Sequence, residues 1–106
     1  MALDILMSRT NEAAKRSKRR CALEEPVHGR LFVSGQFRDL SLMNRLADFY
    51  RDAPFHLEEL PILKSELEAL QERFGDEASV LEFLSCLQGA VRDAKNGGLN
   101  LYCHAD

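Results

Sequence analysis

β-Branched residues are scarce in this chain: four Val, two Ile and a single Thr among 106 residues, against seventeen Leu. Sandwiches and barrels are built from β-branched and aromatic strands, so this scarcity disfavours both and predicts a mainly helical fold. Long apolar runs are also lacking. No stretch approaches the ~20 apolar residues that cross a bilayer, and no basic segment followed by an apolar one opens the chain, so neither membrane insertion nor export is expected. Cysteine is sparse and odd in number, with Cys21, Cys86 and Cys103 far apart. That pattern does not read as a disulfide framework and fits a reducing compartment, the cytoplasm. Cys86 and Cys103 read as small buried apolar groups.

Signatures of chemistry are missing as well. There is no C-x-x-C or H-x-x-x-H pair, and strand alternation would send Cys103 and His104 to opposite faces, so no metal and no cofactor is expected. A nucleophilic set drawn from Cys103, His104 and Asp106 fails because neighbours on one terminal strand cannot converge on one substrate atom. Gly97 and Gly98 follow a helix instead of preceding one, which suits capping and not a phosphate cradle. No Asp or Glu stands alone in an apolar face where burial would raise its pKa for acid–base work. The chain therefore reads as non-enzymatic.

What is present is 45% apolar and 29% charged residues, the balance of one globular domain. A domain this short buries only about 60–65% of its unfolded surface, so a protein partner or self-association would add burial that the core lacks. Charge is unevenly split. Residues 1–20 hold six basic and two acidic side chains, and residues 21–106 hold eight basic and fifteen acidic. The expected organisation is a basic N-terminal arm, 1–20, possessing some helical propensity, on a small acidic domain, 21–106.

The expected fold class is α+β, predominantly helical. Leu60, Leu63, Leu67, Leu70 and Phe74 form a narrow apolar stripe at helical spacing and predict a helix over about 58–74, with Pro61 in its first turn and Gly75 as its cap. Val80, Phe83, Leu84, Leu87, Val91 and Ala94 predict a second helix over 79–96, opened by a Ser79/Glu82 capping box. The short link between them predicts an antiparallel helix hairpin, stripe against stripe. Met43, Leu46, Ala47 and Tyr50 predict a further helix over 39–52, capped by Asp39 or Ser41. Two short strands, 29–34 and 99–103, are expected to pair on the helical layer.

Two surfaces suggest partners. On the outward side of helix 58–74, Ile62 and Ala69 lie together, rimmed by Glu59, Glu66 and Arg73. An apolar anchor among carboxylates suits a basic protein, as in an immunity-type inhibitor or an escort of such a partner. Alternatively, Lys15, Arg16, Lys18, Arg19 and Arg20 could hold nucleic-acid phosphate by charge and counterion release. No aromatic residue is interleaved there for base stacking, and the acidic remainder of the chain would repel phosphate, so the protein partner is the stronger reading. Gly89 lies opposite the buried stripe of its helix, where it costs about 1 kcal/mol relative to Ala.

Overall fold

The computed structural model describes residues 2–33, 35 and 37–105. It is a mixed α/β structure of four α-helices and one four-stranded antiparallel sheet. The elements run β1 (Ala2–Ser8), α1 (Asn11–Ala14), β2 (Cys21–Glu24), α2 (Glu25–Val33), a 3₁₀ turn at Met43–Leu46, β3 (Ala53–Phe55), a second 3₁₀ turn at Leu57–Glu59, α3 (Leu60–Arg73), α4 (Ala78–Gly97) and β4 (Asn100–Ala105). Spatial order in the sheet is β2-β1-β4-β3.

The segment 1–20 does not stand apart as an arm: residues 2–8 are a central strand of the sheet. Leu3 and Ile5 enter the main core, while Leu6 packs on the opposite face with Ala14 and Tyr102. Because both faces of β1 are covered, its apolar residues do not alternate cleanly, and the usual half-buried strand pattern is absent. The register sets Ile5 between Cys21 and Cys103, and Cys103 in turn beside Ala53. One buried row thus crosses all four strands. Residues 9–20 form the β1–β2 connection, pinned by the Arg20 N–H to the Ile5 carbonyl at 2.8 Å.

The expected strand 29–34 is instead the end of helix α2, with Ser34 outside the described residues. Pro26 is in the first turn, where it needs no acceptor, and the i,i+4 pairs Val27/Leu31 and His28/Phe32 outweigh the short alternation that suggested a strand. Val33, which that alternation buried beside Leu31, is 86% exposed. His28 donates from Nε2 to the Leu46 carbonyl at 2.7 Å and stacks on Phe32 and Phe49, tying α2 to the chain that follows it.

The expected helix 39–52 is an irregular segment with only the 3₁₀ turn at Met43–Leu46. Leu40, Leu42, Met43, Leu46 and Phe49 are all buried, a set that would take up about half the circumference of a helix and not the narrower stripe of Met43, Leu46, Ala47 and Tyr50, and Tyr50, assigned to the buried face, is 67% exposed. Asp48 bonds the Tyr50 N–H at 3.0 Å, a turn that ends helical progress.

Helices α3 and α4 occupy the ranges that the periodicity predicts, and every stripe residue of both is buried. α4 begins one residue early, at Ala78, so Ser79 lies inside its first turn and the capping box does not form. Gly98, in the left-handed conformation at φ 67°, caps its C-terminus. α4 touches β1, β2, β4 and α2 as well as α3, so its apolar stripe is shared with the sheet. β4 falls on the strand expected over 99–103, but its partners are β1 and β3.

Cysteine usage is a further correction. Cys21 at the start of β2 and Cys86 on α4 form a disulfide with a Cα–Cα distance of 6.1 Å, and Cys86 is exposed, not a core thiol. Disulfides persist in oxidising compartments, so the bond removes the support that the cysteine count lent to the cytoplasm. No helix among the described residues is long and apolar enough to cross a membrane. The bond spans 65 positions, for which loop-closure entropy gives about 4 kcal/mol of stabilisation. Cys86→Ser should therefore lower the unfolding free energy by about 3–4 kcal/mol in denaturant titration. Thiol titration of the unreduced protein should find one reactive group after denaturation, Cys103; three would refute the bond.

Candidate functional site

α3 carries most of the expected partner face, and its circumference divides into four strips. The buried stripe comes first. Beside it, at seven-residue intervals, lie Glu59, Glu66 and Arg73, and each engages the irregular segment that replaces the expected helix. Arg73 makes a two-pronged pair with Asp39 at 2.7 and 2.8 Å. Glu66, only 7% exposed, accepts the Leu42 and Met43 N–H groups at 3.2 and 2.8 Å. Glu59 accepts from Arg45 at 2.9 Å and from the His56 N–H at 3.0 Å. Residues 39–45 thus run against α3 in the opposite sense, held at three successive points.

The electrostatics follow from these contacts. Hydrogen bonds from Arg45 hold the Glu59 carboxyl down at about 2, against the opposing effect of burial, and the His56 N–H adds to them. The same pair raises the pKa of Arg45, and the Glu66 charge acts on it too. Arg73 lowers the pKa of Asp39 through its hydrogen bonds. Of the five residues expected to meet a partner, three are therefore engaged within the chain: Glu59, Glu66 and Arg73. Ala69 is half-buried and Ile62 is 58% exposed. A recurring Glu/Glu/Arg at heptad spacing beside an apolar stripe is the signal that could have exposed this clamp in the sequence.

Beyond Ile62, the third strip carries Glu58, Ser65 and Glu72, and Glu68 lies between it and the fourth, all exposed. These three carboxylates make no ion pair among the described residues. The fourth strip faces α4 across a cleft of about 580 Å³, where Gln71 Nε2 meets Gln88 Oε1 at 3.2 Å.

The basic run is largely engaged. Arg20 pairs with Asp93, Arg19 with Asp4 at 3.4 Å, and Lys15 with Glu12 at 3.5 Å. Arg16 and Lys18 are exposed and make no ion pair among the described residues. Arg20 also lowers the pKa of Asp93, and its pair lies beside the Cys21–Cys86 bond, so the start of β2 is fastened twice to α4.

On the outer face of the sheet a depression of about 310 Å³ is lined by Asn11, Asp52, His56, Tyr102 and His104. Its polar groups are mostly satisfied within the chain: His104 Nε2 lies 2.6 Å from Asn11 Oδ1, and Asp52 accepts the Ala105 N–H at 2.7 Å. No group of three side chains able to hold a metal occurs among the described residues. Cys103 is fully buried in the row across the sheet, and burial pushes its thiol far up, with the charge of Asp52 adding to the shift. Its thiolate is thereby suppressed. Asp106 lies outside the described residues. No family model, no curated protein and no solved structure matches this chain.

Two outcomes test the clamp. Glu66→Ala strands two N–H groups on buried residues and should cost about 2–4 kcal/mol in denaturant titration, whereas Ile62→Ala should change stability by no more than about 0.5 kcal/mol; equal effects would remove the distinction. Glu59 has a depressed folded pKa, so its contribution is complete above the ordinary carboxylate value of 4.5 and disappears as pH falls toward about 2. Glu59→Gln should cost about 1–2 kcal/mol at neutral pH after allowance for partial exposure, and should flatten the stability–pH curve in that acidic window.

Proposed function

We propose that this chain is a non-catalytic protein-binding domain that presents the Ile62 strip of α3 to a basic protein partner, in the manner of an inhibitor or escort. The observation that carries this reading is the contrast along one helix. The carboxylates on one side of Ile62 are spent inside the chain, while Glu58 and Glu72 on the other side remain exposed next to an exposed apolar side chain. An apolar anchor beside unpaired charge of one sign combines desolvation at the centre with electrostatic selection at the rim. The surface that fits is therefore Ile62 and Ala69 with Glu58 and Glu72, in place of a rim made by Glu59, Glu66 and Arg73.

Nucleic-acid binding through the basic run has less to support it, because Lys15, Arg19 and Arg20 already face carboxylates of the same chain. Two paired variants separate the readings in affinity capture from the native cells, with nuclease present. Capture of a basic protein near one-to-one should be lost with Ile62→Lys/Glu72→Lys and retained with Arg16→Glu/Lys18→Glu. Loss only with the second pair, accompanied by loss of bound nucleic acid when nuclease is omitted, would transfer the function to the β1–β2 connection.

A further inference from the structure

The cleft between α3 and α4 concentrates positive charge on an otherwise acidic molecule. Lys64 enters it from α3, and Arg92 and Lys95 from α4, with Glu68 the one carboxylate among the lining residues; Arg92, whose side chain is largely exposed, also reaches Asp93 beside it at 3.4 Å through Nε. The cations gather toward the C-terminal half of α4. Gln71, Ser85 and Gln88 line the other half with amide and hydroxyl groups, each able to donate and accept. Between Ser85 and Lys95 the helical rise gives a groove of about 15 Å, the length of four or five extended residues.

Gly89 lies in the wall of this cleft. A Cβ placed there would meet nothing within 4 Å, so no contact inside the protein calls for glycine in the middle of this helix. Its conformation there is ordinary helix, with no positive φ. A glycine at this position leaves room for another backbone to approach closely. The charge layout and this bare stretch of helix are independent observations, and both describe the same occupant.

We propose that the α3–α4 cleft binds an extended acidic peptide segment. Its backbone passes over Gly89 and exchanges hydrogen bonds with the Gln71 and Gln88 amides and the Ser85 hydroxyl. Its carboxylates meet Lys64, Arg92 and Lys95, and Glu68 disfavours a carboxylate at the position next to itself. The Gln71–Gln88 bond opens to admit the peptide, each amide exchanging its partner for a peptide group. This site is on the opposite side of α3 from the Ile62 strip, so the two stand or fall separately.

The test is a titration of the ¹⁵N-labelled full chain with an end-blocked pentapeptide of alternating glutamate and glycine. Its lysine counterpart and inorganic phosphate serve as comparison probes. Saturable shifts are expected at Lys64, Gln71, Gly89 and Lys95. Binding should weaken at least about tenfold in Lys64→Glu/Arg92→Glu and in Gly89→Leu. Gly89→Leu should also raise the thermal midpoint, since leucine is the better helix former and the space is open, which separates a blocked groove from a damaged fold. The proposal is overturned by no saturable response, by an equal response to the lysine peptide, by binding that survives both variants, or by phosphate reproducing the full set of shifts.

Discussion

The structure depends on β1 lying in the middle of its sheet. Remove the Ile5 row and, among the described residues, β2 loses its one strand neighbour, while β4 keeps the three-residue β3 alone. The helices that pack on the inner face, and the α1 segment that packs on the outer one, would then have no continuous surface to cover. Burial on both faces makes the strand central in energy as well as in position, because Leu3 and Ile5 feed one core and Leu6 the other. Everything on the helical side, including the face that α3 turns to solvent, is oriented by that platform.

The distribution of charge follows the same economy. A chain with this many acidic and basic groups could have displayed them all, yet a large share is used to fasten irregular segments that lack regular backbone pairing. Residues 39–45 have no long helix or strand of their own, so Glu66 supplies acceptors for two of their N–H groups while Arg73 and Glu59 hold the ends. The β1–β2 connection is held by Arg19, Arg20 and the disulfide. The other charges are partly sorted in space: Glu58 and Glu72 beside Ile62 on one side of α3, and on the other a cleft lined by Lys64, Lys95 and Arg92, with Glu68 at its wall and Asp93 paired to Arg92. That sorting, more than net charge, gives this small domain two faces of different chemistry.

Legibility in the sequence tracked how each segment is buried. α3 and α4 each bury one stripe and expose the rest, so Leu60 to Phe74 and Val80 to Ala94 announce their helices, and β4 alternates well enough to be read. β1 is covered on both faces and α2 is short with a glycine at its centre, so neither has a clean period, and local alternation was misleading at Leu31 and Val33. The segment around Met43 obeys tertiary contacts, chiefly with Glu66, which no local pattern encodes. The candidate site was legible in part. Ile62 is exposed as its position on α3 implies, but the outward placing of Glu59, Glu66 and Arg73 holds only if residues 39–52 form an independent helix, and that segment instead covers them. Cys21 and Cys86 could not be paired by spacing alone, since their proximity comes from β2 lying under α4.

The pairing of Leu3 with Ala105 has a kinetic meaning. β1 is made long before the strand that completes it, and closing so wide a loop is slow relative to helix formation. Until β4 emerges, β1 has β2 alone as a strand neighbour, and its other edge offers unpaired backbone to any other strand. α3 and α4 are complete by then and can assemble locally. The nascent chain therefore passes through a stage in which its helical layer exists and its most apolar strand is half-sheltered, the interval in which a chaperone would matter most.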